Sequence, residues 1–354
     1  MNITFLIGNG FDLNLGLKTS YDEFLTEYNK IPTASGSVLE YFKTDILKNR
    51  KLWANAEEAF GKSTATFKTD NRNAQDFCEC HEDFCYELAR YLSSQESRLN
   101  YAELEPHLIK GLAKGLLNYK NGFRAEVQQQ INAAQNTFSG GFKYNFINFN
   151  YTQTLDSAVG ALKGKDGTLG IRSTSSGSYT NSIGQVLHIH GTTNRDMVLG
   201  VNDVSQITDT SLFDGYEEEY IGQIIKPKTN ELNQENNEKK VIDVLNSSDL
   251  IYVYGMSIGL TDRIWWERIC ELMHSKNNLH LIIHEFNAPE DGLIRRAFLS
   301  FVRKRKKEFT AYCQLDGEAK KEIENRIHID RTNIFDGLEG LVRSAANKKE
   351  LITV

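Results

Sequence analysis

The chain opens on Ile3-Thr-Phe-Leu-Ile-Gly-Asn-Gly-Phe-Asp12, an apolar and β-branched run that stops at two closely spaced glycines. Such a run reads as a strand covered on both faces, the habit of a parallel sheet, so the first residues already commit the chain to an α/β architecture. Gly8 and Gly10 would let the turn take a positive φ and leave no Cβ against an approaching anion. The pattern is G-x-G without the third glycine of a dinucleotide fingerprint. On these residues alone it fits a phosphate-binding loop and a ligand-free tight turn equally.

Helical patterns then take over from about 19 to 138. Thr19 or Ser20 is set as an N-cap, with Glu23 in the first turn and Phe24 and Leu25 facing inward. Phe77, His81, Phe84, Leu88 and Tyr91 recur at steps of three and four, predicting a helix over 75–93, and another is predicted over 102–118. Core strands are expected at 143–148 and 185–190, with a short partner at 197–200 and a glycine- and serine-rich loop or hairpin tip over 164–184. The tract 229–240 is polar and feeds a helix ending near Asn246. The clearest βαβ unit follows: strand 249–254, helix 260–274, strand 279–284. Ile327–Asp330 reads as an edge strand in an otherwise helical C-terminal portion. The division that results is a discontinuous α/β core, 1–18 and 139–354, interrupted by a helical insertion, 19–138.

Bulk properties narrow the function classes. A net charge of −6 opposes an all-over attraction to nucleic acid. The basic run Arg303-Lys-Arg-Lys-Lys307 is the one local exception, and it also reads as a solvated helix end. No apolar run is long enough to cross a bilayer, and Met1 leads directly into the first strand, so a cytoplasmic protein without membrane contact is expected. Five cysteines, an odd number, suggest reduced thiols and no disulfide framework.

In an open parallel sheet, ligands bind beyond the carboxyl ends of the strands, where residues distant in sequence converge. Candidates for that edge are Gly8 to Asp12, Asn150 to Asp156, His190-Gly191, Gly255 to Asp262, and Asn287. The set G-N-G-F-D-L-x-x-G-L-x-T-S-Y-x-x-F, F-N-Y-T-x-T-L-D and H-I-H-G resembles the AbiH-type abortive-infection family of bacterial anti-phage proteins. Its order and spacing are also similar to the wider sirtuin-like NAD-binding superfamily. The ordered motifs span nearly the whole chain, although only about 50 residues carry them.

The resemblance implies an open, mostly parallel Rossmann-like sheet and NAD as ligand or substrate. It implies a nucleotide loop formed by Gly8, Asn9, Gly10, Phe11 and Asp12, with Asn150 and His190 catalytic and Gly255 and Ser257 as the late phosphate and ribose contact. Asn287 falls near the adenosine. Tyr151, Asp156 and Asp262 join the binding set, Tyr151 either stacking on a base or serving structurally, and Asp262 either contacting ribose or capping a helix. Two departures matter. The acid expected two residues after Asn150 is Thr152, with Asp156 further on, and the paired Cys-x-x-Cys zinc module is missing, which disfavours deacylation. A phage-derived trigger or partner protein and a homo-oligomer fit the resemblance.

The residue chemistry is consistent with cleavage of the nicotinamide–ribose bond. That bond breaks through an oxocarbenium-like sugar, so the site must hold both rings and place a nucleophile. An asparagine amide donates and accepts, enough to orient water or ribose, and a histidine at a strand end acts as a base near neutral pH. In a regular strand His188 and His190 face the same way; the adjacent Gly191 favours His190, with His188 as the alternative. Asn150-Tyr-Thr also reads as a plain strand-end turn, its amide bonding its own backbone. Cys78, His81 and Cys85 share a helix face but lack a fourth ligand, so a buried helix face accounts for them better than a metal. The competing functions are a nuclease or nucleic-acid-dependent effector using Arg303–Lys307, for which no acidic metal-binding cluster is seen, and a nucleotide-sensing module without turnover.

Overall fold

A computed structural model describes residues 1–164, 167–216, 220–232, 237–289 and 296–342. Part of the polar 229–240 tract and the end of the chain lie outside the described residues.

Seven strands form one open sheet: β1 (Asn2–Ile7), β2 (Lys143–Asn148), β3 (Thr168–Thr174), β4 (Gly177–His188), β5 (Leu250–Tyr254), β6 (His280–His284) and β7 (Ile327–Asp330). Their order is β3-β4-β2-β1-β5-β6-β7, and every neighbouring pair is parallel except β3 with β4. This is the mostly parallel, helix-flanked sheet that the opening strand demands. The chain grows outward from β1 through β2 to β4, then returns to the other side of β1 as β5. The strand order therefore reverses beside β1, the place where such sheets open a crevice.

Fifteen helices are described: α1 (Gly10–Leu15), α2 (Tyr21–Tyr28), α3 (Val38–Lys48), α4 (Arg50–Trp53), α5 (Ala56–Thr69), α6 (Ala74–Glu96), α7 (Tyr101–Asn118), α8 (Ala125–Asn136), α9 (Thr154–Gly164), α10 (Gly222–Ile224), α11 (Lys226–Leu232), α12 (Asn237–Ser247), α13 (Arg263–Ser275), α14 (Arg296–Thr310) and α15 (Gly317–Asn325). The alternation of β1 splits its side chains between two layers. Ile3, Phe5 and Ile7 pack with Leu104, Leu108, Leu112 and Leu116 of α7, whereas Leu6 joins Val241 of α12 and Trp266 of α13 on the other face. A third cluster is built from α2, α3, α5 and α6 together with Leu199, Val201, Phe213 and Ile224. This helical layer stands beyond the carboxyl ends of the strands and supplies the roof of the cleft described below.

Local chemistry explains several boundaries. Ser20 caps α2 with a reciprocal capping box: its hydroxyl accepts from Glu23 N while the Glu23 carboxylate accepts from Ser20 N. The expected helices at 75–93 and 102–118 are present as α6 and α7. The glycine- and serine-rich stretch forms the β3–β4 hairpin, but β4 starts at Gly177, eight residues before the apolar signal at Gln185. Its outer half pairs with β3 at the sheet edge, where solvent on one side removes the need for apolar residues. Residues 197–200 form no strand; Val198 N donates to His190 O and Val201 makes one isolated bridge to Ile225.

The expectation of reduced thiols is corrected for two of the five cysteines. Cys270 of α13 and Cys313, just after α14, form a disulfide with Cα atoms 5.2 Å apart. Their 43-residue separation hid the pair, because it is the packing of the α14 end against α13 that joins them. Cys78, Cys80 and Cys85 form no disulfide.

Candidate functional site

The glycine turn owes its glycines to another stretch of backbone. Gly8 N donates to Tyr254 O at 2.9 Å and Gly10 N to Gly255 O at 2.8 Å, so the loop after β1 is laced to the loop after β5. A Cβ on Gly10 would lie 2.4 Å from the Gly255 Cα, and one on Gly8 2.7 Å from the Gly255 carbonyl oxygen. Neither has a positive φ, contrary to expectation; that conformation falls on Gly255 at +67°. Asn9 is fixed as well, its amide donating to Thr19 O at 3.0 Å and accepting from the Thr19 hydroxyl at 2.5 Å.

Beside this junction lies a cleft of about 320 Å³ between the carboxyl ends of β2, β1 and β5 and the helical layer. Of the expected residues, Gly8, Asn9, Asp12, Asn150, Tyr151, Gly255, Ser257 and Asp262 line it. Phe11 is buried at the start of α1, in edge-on contact with Phe335. Asn287 is exposed beyond β6 and stands apart from the cleft wall.

Asn150 reaches across the sheet. Its Nδ2 donates to Gly8 O at 3.1 Å, and its own backbone N–H is taken by Asn148 Oδ1 at 3.1 Å. The amide therefore ties the end of β2 to the glycine turn and does not close a local turn. Asp12 is buried, accepting from the Thr152 hydroxyl at 2.5 Å and from that of Thr154. Burial pushes its carboxyl up to about 6, against the pull of those two hydroxyls. Thr152, which stands where a second acid was expected, thus serves Asp12. Tyr151 points its hydroxyl at Glu57 and Val198 O, 3.3 and 3.2 Å away, inside the helical layer's core.

The two histidines part company because β4 ends at His188. His188 Nε2 lies 2.8 Å from Asp156 Oδ2 and its Nδ1 lies 3.0 Å from Asn150 O, so Asp156 orients His188 and both stand off the cleft wall. His190, 4% exposed, sits behind the wall against Phe149 and Tyr151. Its Nε2 lies 3.2 Å from Asp262 Oδ1 and 3.5 Å from Lys226 Nζ, while Nδ1 has no hydrogen-bond partner.

Sequence reasoning missed Lys226 and Glu57. Lys226 Nζ donates to Glu57 Oε2 at 3.0 Å and to Asp262 Oδ1 at 3.1 Å, joining α11, α5 and the loop after β5. Burial works against the ammonium, yet Asp262 and Glu57 outweigh it and hold Lys226 above its ordinary value. Burial likewise pushes Asp262 up, and Lys226 and His190 overturn it, keeping that carboxyl well below the usual range. Asp262 is spent on these partners and makes no side-chain cap for α13. A lysine between Ile225 and Pro227 and a glutamate in an amphipathic helix carry no sequence signal for such a pairing.

The basic run is partly consumed internally. Arg305 binds Glu285 and Glu308, Lys306 donates to Glu324 O, and Lys304 lies 3.7 Å from Glu308, leaving Arg303 and Lys307 exposed. Among the described residues no group of three or more His, Cys, Asp or Glu is arranged to hold a metal, and no helix is long and apolar enough to cross a membrane. His81 instead bonds Leu199 O at 2.9 Å.

A family model described as "Bacteriophage abortive infection AbiH" matches residues 4–284. The chain belongs to the AbiH family. The matched span of this AbiH protein begins in β1, ends at β6, and contains every cleft-lining residue named above. No curated protein and no solved structure matches the AbiH chain.

Proposed function

We propose that this AbiH protein binds NAD in the cleft beside β1 and hydrolyses its nicotinamide–ribose bond, so that loss of NAD is the means of abortive infection. One observation carries the reading: Gly8–Asn9, Asn150 and Gly255–Ser257, from the ends of three adjacent parallel strands, face one cleft at the reversal of strand order. The cleft volume lies near the lower end of the roughly 300–1,000 Å³ usual for small-molecule sites. The order of the motifs, similar to that of sirtuin-like proteins, supports the choice of a dinucleotide.

In the reaction the C1′–N bond breaks, nicotinamide leaves with the bonding electrons, and a water oxygen bonds to C1′. That water gives up a proton as ADP-ribose forms. Asp12, on the wall and with a carboxyl raised to about 6, is suited to receive that proton near neutral pH. Asn150 fixes the strand end against which the ribose would lie.

A sensing module without turnover is the second reading. It is favoured by the burial of His190 behind the wall, where a base cannot meet substrate directly. Purified protein incubated with NAD, with and without phage lysate as trigger, separates the two by chromatography of released nicotinamide. Release by wild type that Asn150→Ala abolishes supports hydrolysis. NAD that binds but stays intact under every trigger supports sensing, and NAD that neither binds nor breaks sinks both.

A further inference from the structure

The loop after β5, which lines the cleft through Gly255, Met256, Ser257, Gly259, Thr261 and Asp262, is held by side chains from two different helical segments. Trp266 of α13 donates its indole N–H to Gly259 O at 3.0 Å, and Tyr312, just past α14, donates its hydroxyl to Ile258 O at 3.5 Å. The disulfide joins these two supports to each other. Cys270 follows Trp266 by about one helical turn, and Cys313 is the chain neighbour of Tyr312. Phe309, near the end of α14, meets the Trp266 ring edge-on with centroids 6.5 Å apart. Met256 and Ile258 of the loop pack on the same apolar cluster that holds both cysteines.

The size of the fold does not call for this bond. A chain of 354 residues with three apolar clusters buries enough surface without the covalent staple that small domains need. Both sulfurs are buried, and a buried thiol packs as a small apolar group, so reduction leaves the core filled. What reduction removes is the tie between the two supports of the loop.

We propose that Cys270–Cys313 is a redox clamp on the cleft. Oxidised, it holds the supports of Ile258 O and Gly259 O as one unit; reduced, it releases the end of α14 and with it the loop. The step takes a dithiol reductant. Its thiolate attacks Cys313 Sγ, which lies in the bend after α14 beside the exposed Gln314; the S–S bond breaks, and Cys270 leaves with the bonding pair and takes up a proton. The reductant's second thiol, losing its proton, closes the reductant's own disulfide, and Cys313 departs as a thiolate that is protonated in turn. The chain gains two electrons and two protons, and the reductant loses them.

Exchange of indole N–H protons with solvent, followed by NMR on the full chain, tests this. The Trp266 proton reports on the loop, and that of Trp53, bonded to Asp45 Oδ2 at 3.1 Å in the helical layer, reports general loosening. Reduction by dithiothreitol is expected to speed exchange at Trp266 at least about tenfold more than at Trp53, as a local opening does. Cys313→Ala should reproduce the reduced state and no longer respond to dithiothreitol, with Cys270→Ala in its place if the first variant melts early. No change at Trp266, or equal acceleration at both indoles, would overturn the clamp. Resting on the reading above, NAD is expected to bind about tenfold more weakly to the reduced chain. Equal binding by both forms would overturn control of the cleft, whereas a selective Trp266 response in a chain that binds no NAD in either form would overturn the NAD reading and leave the clamp standing.

Discussion

Gly10 donates its N–H to the carbonyl of Gly255, and a Cβ on either residue would sit 2.6 Å or less from the Cα of the other. The loops after β1 and β5, far apart in sequence, are held at backbone contact. Gly10→Ala is expected to cost about 3 kcal/mol, because neither backbone can withdraw without breaking the hydrogen bonds that lace them. Urea denaturation measures this; a loss below about 0.5 kcal/mol, the scatter of a harmless surface change, would mean that the loops are free to part.

Asn150→Ala should split stability from activity. Losing one hydrogen bond to Gly8 O costs about 1 kcal/mol of folding stability. If the cleft hydrolyses NAD, displacement of the glycine turn is expected to lower kcat by about 100-fold. Paired melting and steady-state assays read the two effects, and a rate loss no larger than the stability loss implies would count against a role in positioning.

The raised carboxyl of Asp12 makes stability depend on pH in a defined direction. Its folded value of about 6 exceeds the ordinary 3.8, so the folded state holds the proton more tightly. The contribution is fully present below about 4 and is lost as pH rises through 6, amounting to at most about 3 kcal/mol. Asp12→Asn should flatten the stability profile across that window, as followed by denaturation at a series of pH values.

Lys226→Met leaves Glu57 and Asp262 buried without their shared cation and is expected to cost about 3–5 kcal/mol. Adding Glu57→Gln to that variant should recover part of the loss, a coupling that a double-mutant cycle reports. Strict additivity would show that the two residues do not feel each other.

Titration of thiols in denatured, unreduced protein should find three, and reduction should raise the number to five. Closing 43 residues contributes up to about 4 kcal/mol on loop entropy, so the reduced protein should melt earlier. Five thiols before reduction would leave Cys270 and Cys313 unbonded in solution.

The strands at the sheet's centre were readable because β1, β2, β5 and β6 are buried on both faces and each carries a short apolar or aromatic run, even though β2 also holds Lys143, Asn145 and Asn148. The outer half of β4 was not, since an edge hairpin needs no such signal. The Ser20–Glu23 cap was legible from spacing alone, being local chemistry. Lys226 and Glu57 were not, since their meaning is each other and 169 positions separate them. Gly8 and Gly10 were found for one reason and fit for another: the close approach that requires them is by Gly255. The pairing of Asp156 with His188 and of Asp262 with His190 depended on where β4 stops, which the run Gln185–His190 does not disclose.

The shared ammonium of Lys226 also governs when the cleft can come into being during synthesis. Glu57 leaves the ribosome 169 residues before Lys226, and Asp262 follows 36 later. Until then the roof carries an acid with no counter-ion, and the loop that closes against Gly10 has yet to be made. A growing AbiH chain is therefore without a finished cleft until its last quarter is under translation, and a truncated product ending before that point has none.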